Sequence, residues 1–167
     1  SYIKPHWPYI VPEPYHDMYP PETHQPVLRS DAEQTDPHPV FGAFMEERVS
    51  KAFTNDITRT KVIGAYMGLI KQIDDQFQRI IEHLRDTNQL ENTIVIFTSD
   101  HGYHLGEHDF WAKVSLRDES AGVPLIISVP GKKPAVCHSL TELLDLYPTV
   151  ASLCGLEVPG RLQGKDI

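Results

Sequence analysis

A helical pattern that passes through a short polar turn into a buried strand constrains this chain more than any other feature. Between residues 57 and 86, Ile63, Met67, Ile70, Phe77, Ile81 and Leu84 recur at spacings of four, three, seven, four and three residues. Ile73 and Ile80 widen the stripe, and Lys71, Gln72, Gln78, Arg79 and Glu82 fall elsewhere. That is an amphipathic helix, with Asp56 or Thr58 as its expected N-cap. Asp86, Asn88 and Gln89 mark a turn. Residues 93–98, Thr-Ile-Val-Ile-Phe-Thr, then form a β-branched and aromatic run. Its composition suits a strand buried on both faces of a parallel sheet. Helix, turn and buried strand make half of an α/β unit.

The rest of the chain extends that pattern. Val123 to Val129 reads as a second buried strand, ended by Pro130-Gly131. Residues 139–154 read as a second amphipathic helix. Ser139 or Thr141 would cap it, and Leu143, Leu146, Tyr147, Val150 and Leu153 would form its buried side. Pro148 would kink it, and Gly155 would end it. Ala43, Phe44, Val49 and Phe53 suggest a short helix within 43–55. Nine of the 14 prolines fall in residues 1–42, interleaved with Tyr2, Trp7, Tyr9, Tyr15 and Tyr19. Prolines forbid a long helix or central strand there, and the aromatics favour a loop packed on a body. Two strands and two main helices cannot close a doubly wound sheet, and no internal repeat adds more. The expected architecture is one partial α/β/α sandwich over 1–167, with 1–42 as packed loop and 43–167 as the α/β part.

Composition excludes whole classes of partner. With 167 residues, 40% of them hydrophobic, the chain can bury a core. Lys plus Arg number 15 against 23 acidic residues, a formal charge of -8. A nucleic-acid binder would carry a basic face instead. No apolar run reaches the roughly 18–20 residues that span a bilayer. Cys137 and Cys154 lack metal-ligand spacing.

The chemistry concentrates where the first strand ends. Ser99-Asp100-His101-Gly102 leaves that strand at its C-terminal edge, where open α/β sheets bind ligands. A bare Asp-His-Gly is more often a turn in which Asp caps local amides. Here, however, residues 100–113 hold three His, three acids, Trp111 and Lys113. A solvated loop has little use for that mixture, whereas a carboxylate and an imidazole on a rigid strand end suit a divalent cation. A lysine beside such a site can hold an anionic group as a point charge. Lys4-Pro5-His6 is a second, weaker cluster, stiffened by its proline. His16, His24 and His38 read as surface residues. Asp74-Asp75 lies mid-helix, where adjacent side chains diverge by roughly 100°. Asp75 is expected on the solvated face and Asp74 in a structural hydrogen bond.

The run Thr98-Ser99-Asp100-His101-Gly102-Tyr103-His104-Leu105-Gly106-Glu107-His108, followed by Trp111-Ala112-Lys113, resembles the type I sulfatases of the alkaline-phosphatase-like superfamily. Within them it is most similar to the iduronate-2-sulfatase-like branch, and Lys4-Pro5-His6-Trp7-Pro8 resembles the family's Lys-Pro-His segment. The resemblance implies that Asp100 and His101 ligate calcium, with magnesium as the alternative. It implies that Lys113 holds the sulfate, that His6 lies near the sulfate and leaving-group oxygen with Lys4 beside it, and that His108 and Trp111 shape the substrate pocket. It further implies hydrolysis of a sulfate ester, on a sulfated small molecule or saccharide, by a formylglycine nucleophile. The family makes formylglycine within Cys/Ser-x-Pro-x-Arg, and residues 1–167 contain no such motif. The early Asp-Asp metal pair is also missing. Both are expected upstream, so the chain reads as the C-terminal part of a sulfatase catalytic domain, inactive alone and completed by the remainder of the sulfatase chain. Open sheet edges would leave it room to dimerise. Two other readings stand beside this one: a phosphate or phosphonate ester hydrolase of the same superfamily, and a non-catalytic module that binds a metal or a partner.

Overall fold

A computed structural model describes residues 1–167. In chain order it contains helices α1 (Asp31–Thr35), α2 (Pro39–Glu46), α3 (Arg48–Ala52) and α4 (Asp56–Asp86), then strands β1 (Val95–Thr98), β2 (His104–Leu105) and β3 (Trp111–Ala112). Helix α5 (Asp118–Ala121), strand β4 (Leu125–Ser128) and helix α6 (Leu146–Leu153) follow. The chain divides into two units, Ser1–Pro130 and Gly131–Ile167, and the Pro-rich segment belongs to the first. No helix is long and apolar enough to cross a membrane.

The 57–86 periodicity becomes α4, 31 residues long. Its N-cap is Asn55, not Asp56 or Thr58: the Asn55 side chain accepts hydrogen bonds from the amides of Ile57 and Thr58 at 3.0 and 3.1 Å. Asp56 is thereby the first helical residue, and its carboxylate pairs with Arg29 and Arg59. The buried line of α4 is not the large-residue stripe alone. Leu69 is fully buried, together with Gly64 and Gly68, whereas Ile70 and Ile80 are exposed. A Cβ on Gly64 would lie 2.8 Å from the Tyr19 carbonyl oxygen, and one on Gly68 closer still to that of Tyr15. Two glycines one turn apart thus let the backbone of the Pro-rich segment lie directly on the helix. Tyr15 also donates its hydroxyl to Asp75 at 2.9 Å, while Lys71 reaches both Asp74 and Asp75. The expected roles of the two aspartates are therefore reversed, because the face toward the loop is set by the glycines.

β1 and β4 pair antiparallel, from Val95↔Ser128 to Thr98↔Leu125, where the sequence suggested parallel strands. An apolar run reports burial and not the direction of its neighbour. β1 is half-buried throughout, and β4 alternates, with Ile126 exposed. Phe97 of β1 meets Phe77 of α4 with ring centroids 5.3 Å apart, so α4 touches β1 there. The Pro-rich segment is irregular apart from α1, the first half of α2 and two 3-10 turns at Tyr15–Asp17 and Pro21–Thr23. The short helix sought in 43–55 starts earlier, at Pro39, and breaks at Glu47 into α2 and α3. His24 is half-buried rather than a surface residue, with Nε2 3.0 Å from the Tyr19 carbonyl oxygen.

In the second unit the expected helix is shorter. Ser139 and Thr141 do not cap it; a 3-10 turn at Leu143–Asp145 comes first, with Glu142 and Asp145 exchanging side-chain-to-backbone hydrogen bonds. Pro148 falls in the first turn of α6, where its missing amide has no helical partner to lose, and the helix runs on to Leu153. The buried residues of α6 are Pro148, Thr149 and Ala151, while Tyr147 is 63% exposed. Gly155 ends the helix at φ 68°. The amides of Gly155 and Leu156 close back on the carbonyls of Ser152 and Ala151.

Candidate active site

The site is assembled at the end of β1. Ser99 Oγ donates to the His101 carbonyl at 2.9 Å. His101 Nδ1 lies 2.7 Å from the Gly102 carbonyl oxygen, which can only accept, so Nδ1 carries the proton and Nε2 presents a lone pair. Around that nitrogen stand Lys113 Nζ at 2.9 Å and Asp100 Oδ2 at 3.7 Å. The structure thus brings Asp100, His101 and Lys113 together. The Asp100 side chain is 85% exposed. Desolvation pushes its carboxyl up, but the neighbouring His101 ring, local backbone amides and Lys113 outweigh this, and the group stays below the ordinary aspartate value.

The loop leading to Lys113 runs through unusual backbone. Gly106 (φ 113°), His108 (57°), Asp109 (60°) and Ala112 (73°) all lie in the left-handed half of conformational space. Non-glycine residues persist there only when their surroundings hold them. The holding groups are visible. Arg29 pairs with Asp109 at 2.9 Å, and the His108 amide donates to the Leu28 carbonyl at 2.8 Å. His108 Nδ1 donates to Glu33 Oε1 at 2.9 Å, leaving Nε2 to accept from Arg117 at 3.1 Å. Arg117 also reaches Glu33 at 3.0 Å and lies over Phe41, 4.9 Å from the ring centroid. The hydrogen bond from His108 is the main cause that draws the Glu33 carboxyl below its usual range, against desolvation.

His108 and Trp111, expected to shape the substrate pocket, are both buried. His108 is 7% exposed and belongs to this ion network. Trp111 is 1% exposed, stacks on Phe53 at 4.1 Å and donates Nε1–H to the Tyr9 hydroxyl at 3.0 Å. Tyr9 in turn shares a hydrogen bond with Tyr103. Burial pushes the Tyr66 hydroxyl up to about 12, and burial with the Tyr9 bond raises Tyr103 further. Trp111 is a core residue that ties the N-terminal segment to the loop.

Lys4 and His6 form a separate cluster. Lys4 Nζ donates to the carbonyls of His6 and Pro8, and His6 Nδ1 lies 2.8 Å from the Trp7 carbonyl oxygen. No hydrogen bond or ion pair joins them to Asp100, His101 or Lys113. Sequence reasoning missed Glu33, Arg117 and Ser120, which hold the loop. No local pattern could reveal Glu33, which meets its partners 75 and 84 positions away.

Asp100 and His101 together suit one divalent cation: an exposed carboxylate and an unprotonated imidazole nitrogen, 3.7 Å apart. No group of three or more His, Cys, Asp or Glu side chains is placed to hold a metal ion, so Asp100 and His101 offer two of the several ligands a calcium ion takes.

A mixed α/β framework brings Asp100, His101 and Lys113 together at a strand end. Residues 1–156 match the Sulfatase family model, and the chain belongs to that family. It is 32% identical over 183 residues to the multifunctional alkaline phosphatase superfamily protein PehA of Trinickia caryophylli, covering 100% of this chain and 35% of PehA. Iduronate 2-sulfatase of Homo sapiens is 31% identical over 201 residues, covering 96% of this chain and 36% of the human protein. The structure of the phosphonate monoester hydrolase SpPMH from Silicibacter pomeroyi superposes with a TM-score of 0.93 at 33% identity, over 99% of this chain and 35% of that one. The chain thus spans about a third of the length of the curated relatives it matches.

Proposed function

We propose that this chain supplies the anion-holding half of a sulfuric ester hydrolase site, acting on a sulfated sugar or similar small molecule. The observation that carries this reading is the convergence of Lys113, His101 and Asp100 within 3.7 Å of one imidazole nitrogen. One of the three Lys113 donors rests on His101 Nε2 here; a cation taking that lone pair would leave all three for the ester's non-bridging oxygens. Held in place, its charge favours the state in which those oxygens carry most charge. Asp100 and His101 would hold a divalent cation, calcium or magnesium. That ion would polarise the same oxygens. His6 would protonate the departing alcohol, with Lys4 beside it. The nucleophile, a formylglycine by family resemblance, would come from outside residues 1–167.

A phosphonate or phosphate ester is the second substrate reading, favoured by the superposition on SpPMH. The test is the full-length protein assayed with p-nitrocatechol sulfate and with p-nitrophenyl phenylphosphonate. A higher kcat/KM on the sulfate supports the first reading, and a higher value on the phosphonate overturns it for the second. Turnover of neither would favour a non-catalytic module.

A further inference from the structure

One buried residue, Ser120, joins the two sides of this site. Helix α5 lies behind the site as a small platform. Gly102 packs on it so tightly that a Cβ there would lie 2.7 Å from the Gly122 carbonyl oxygen and closer still to that of Glu119. The Gly102 amide donates to the Ser120 carbonyl at 2.8 Å. The Ser120 hydroxyl donates in turn to the Lys113 carbonyl at 2.6 Å. Ser120 is 4% exposed, and its own amide is bonded to the Arg117 carbonyl. One buried residue therefore fixes the backbone next to His101 with its carbonyl and the backbone of Lys113 with its hydroxyl.

That second bond falls where it is most needed. Ala112, just before Lys113, is held at φ 73°, so the chain arrives at Lys113 through strained backbone. Ser115 Oγ, which meets His104 Nε2 at 2.7 Å and the Arg117 amide at 3.1 Å, secures the loop only two residues later. The Lys113 ammonium has one hydrogen-bonded partner in this chain, His101 Nε2. The main-chain anchor consequently decides where the long side chain starts.

We propose that Ser120 is a positioning residue, fixing the main chain from which the Lys113 ammonium reaches the anionic ester beside His101. This rests on Lys113 being the cation that holds the ester group. The test uses the full-length protein and p-nitrocatechol sulfate. Ser120→Ala keeps the carbonyl that receives Gly102 and loses the hydroxyl on Lys113. It is expected to lower kcat about 10- to 100-fold with KM changed less than about twofold, the size of effect that a displaced catalytic group produces. In a Lys113→Ala background, Ser120→Ala should cost less than about twofold more, because the group it positions is gone. Ser120→Cys, similar in volume but a weak donor, should show the same background dependence if the alanine variant folds poorly. The proposal is overturned if Ser120→Ala and Ser120→Cys keep wild-type kcat, or if the loss is equal in both backgrounds, as a merely structural role would give. Wild-type turnover in Lys113→Ala alone would instead overturn the reading of Lys113 on which this one stands.

Discussion

Lys113 and Gly102 show how neighbouring residues carry opposite burdens. Lys113 is exposed, with its ammonium on His101 and no packed side chain to lose. If Lys113 holds the ester as proposed, Lys113→Ala in the full-length protein should lower kcat by roughly 10²–10³-fold, as loss of a fixed charge-stabilising donor does. Its thermal midpoint should scarcely move, because surface changes are usually worth within about 0.5 kcal/mol. Steady-state kinetics beside a melting curve checks both, and unchanged kcat would remove Lys113 from the chemistry. Gly102 is the reverse case. The atoms a Cβ would strike are backbone carbonyls of α5, which cannot swing aside like a flexible side chain. Gly102→Ala should destabilise by about 1–3 kcal/mol. A lower urea midpoint at constant m-value is the expected result.

α4 carries the same lesson to the scale of an element. Its amphipathic period is legible in the sequence, yet the closest approach on it is made by backbone. Gly68→Ala adds helix propensity worth about 1 kcal/mol. It also drives a Cβ into the Tyr15 carbonyl, an overlap expected to cost about 1–3 kcal/mol. The overlap should win, because the alternative is to lift the Tyr15–Asp17 turn off the helix and weaken the Tyr15–Asp75 hydrogen bond. Faster limited proteolysis within residues 12–20, together with a lower melting temperature, would show it. Greater stability would mean that the loop relaxes at no cost. The antiparallel pairing of β1 and β4 is likewise an element-scale decision: direction depends on the path of the chain through α5, not on the composition of either strand.

The molecule as a whole should weaken in acid in two steps. His104 is fully buried, with Nε2 on Ser115. Burial holds its pKa below the ordinary value, helped by His108 and Arg117, while the Glu119 and Glu107 carboxylates pull the other way. The unfolded chain takes up a proton near pH 6.5 that the native state refuses. The contribution of neutral His104 is thus full above about pH 6.5 and is lost as pH falls toward the depressed native value. The Glu33 carboxyl, drawn down by His108, contributes fully above its ordinary value near 4.3 and is lost as pH falls through its lower native value. The melting temperature should be level above pH 7, decline from about pH 6.5 and fall more steeply below pH 4. His104→Gln should abolish the first decline and keep the second. A wild-type profile level from pH 7 to pH 5 would refute the His104 step.

The sequence by itself determined the long helix, the two short strands and the Asp100 to Lys113 run, because each is written in neighbouring residues as a period, a β-branched run or a motif. It also placed Asp100, His101 and Lys113 in one stretch of 14 residues. Only the tertiary structure decided that Trp111 and His108 face inward, since their partners, Phe53, Tyr9, Glu33 and Arg117, come from separate segments. Tertiary structure likewise chose Asn55 over Asp56 as the cap, by offering Asp56 the guanidinium groups of Arg29 and Arg59. It also gave Asp75 rather than Asp74 the structural hydrogen bond, because Gly64 and Gly68 set which face of α4 receives the loop. Local periodicity states which residues want burial, but which surface arrives to bury them depends on contacts between distant segments, and those exist only once the chain has folded.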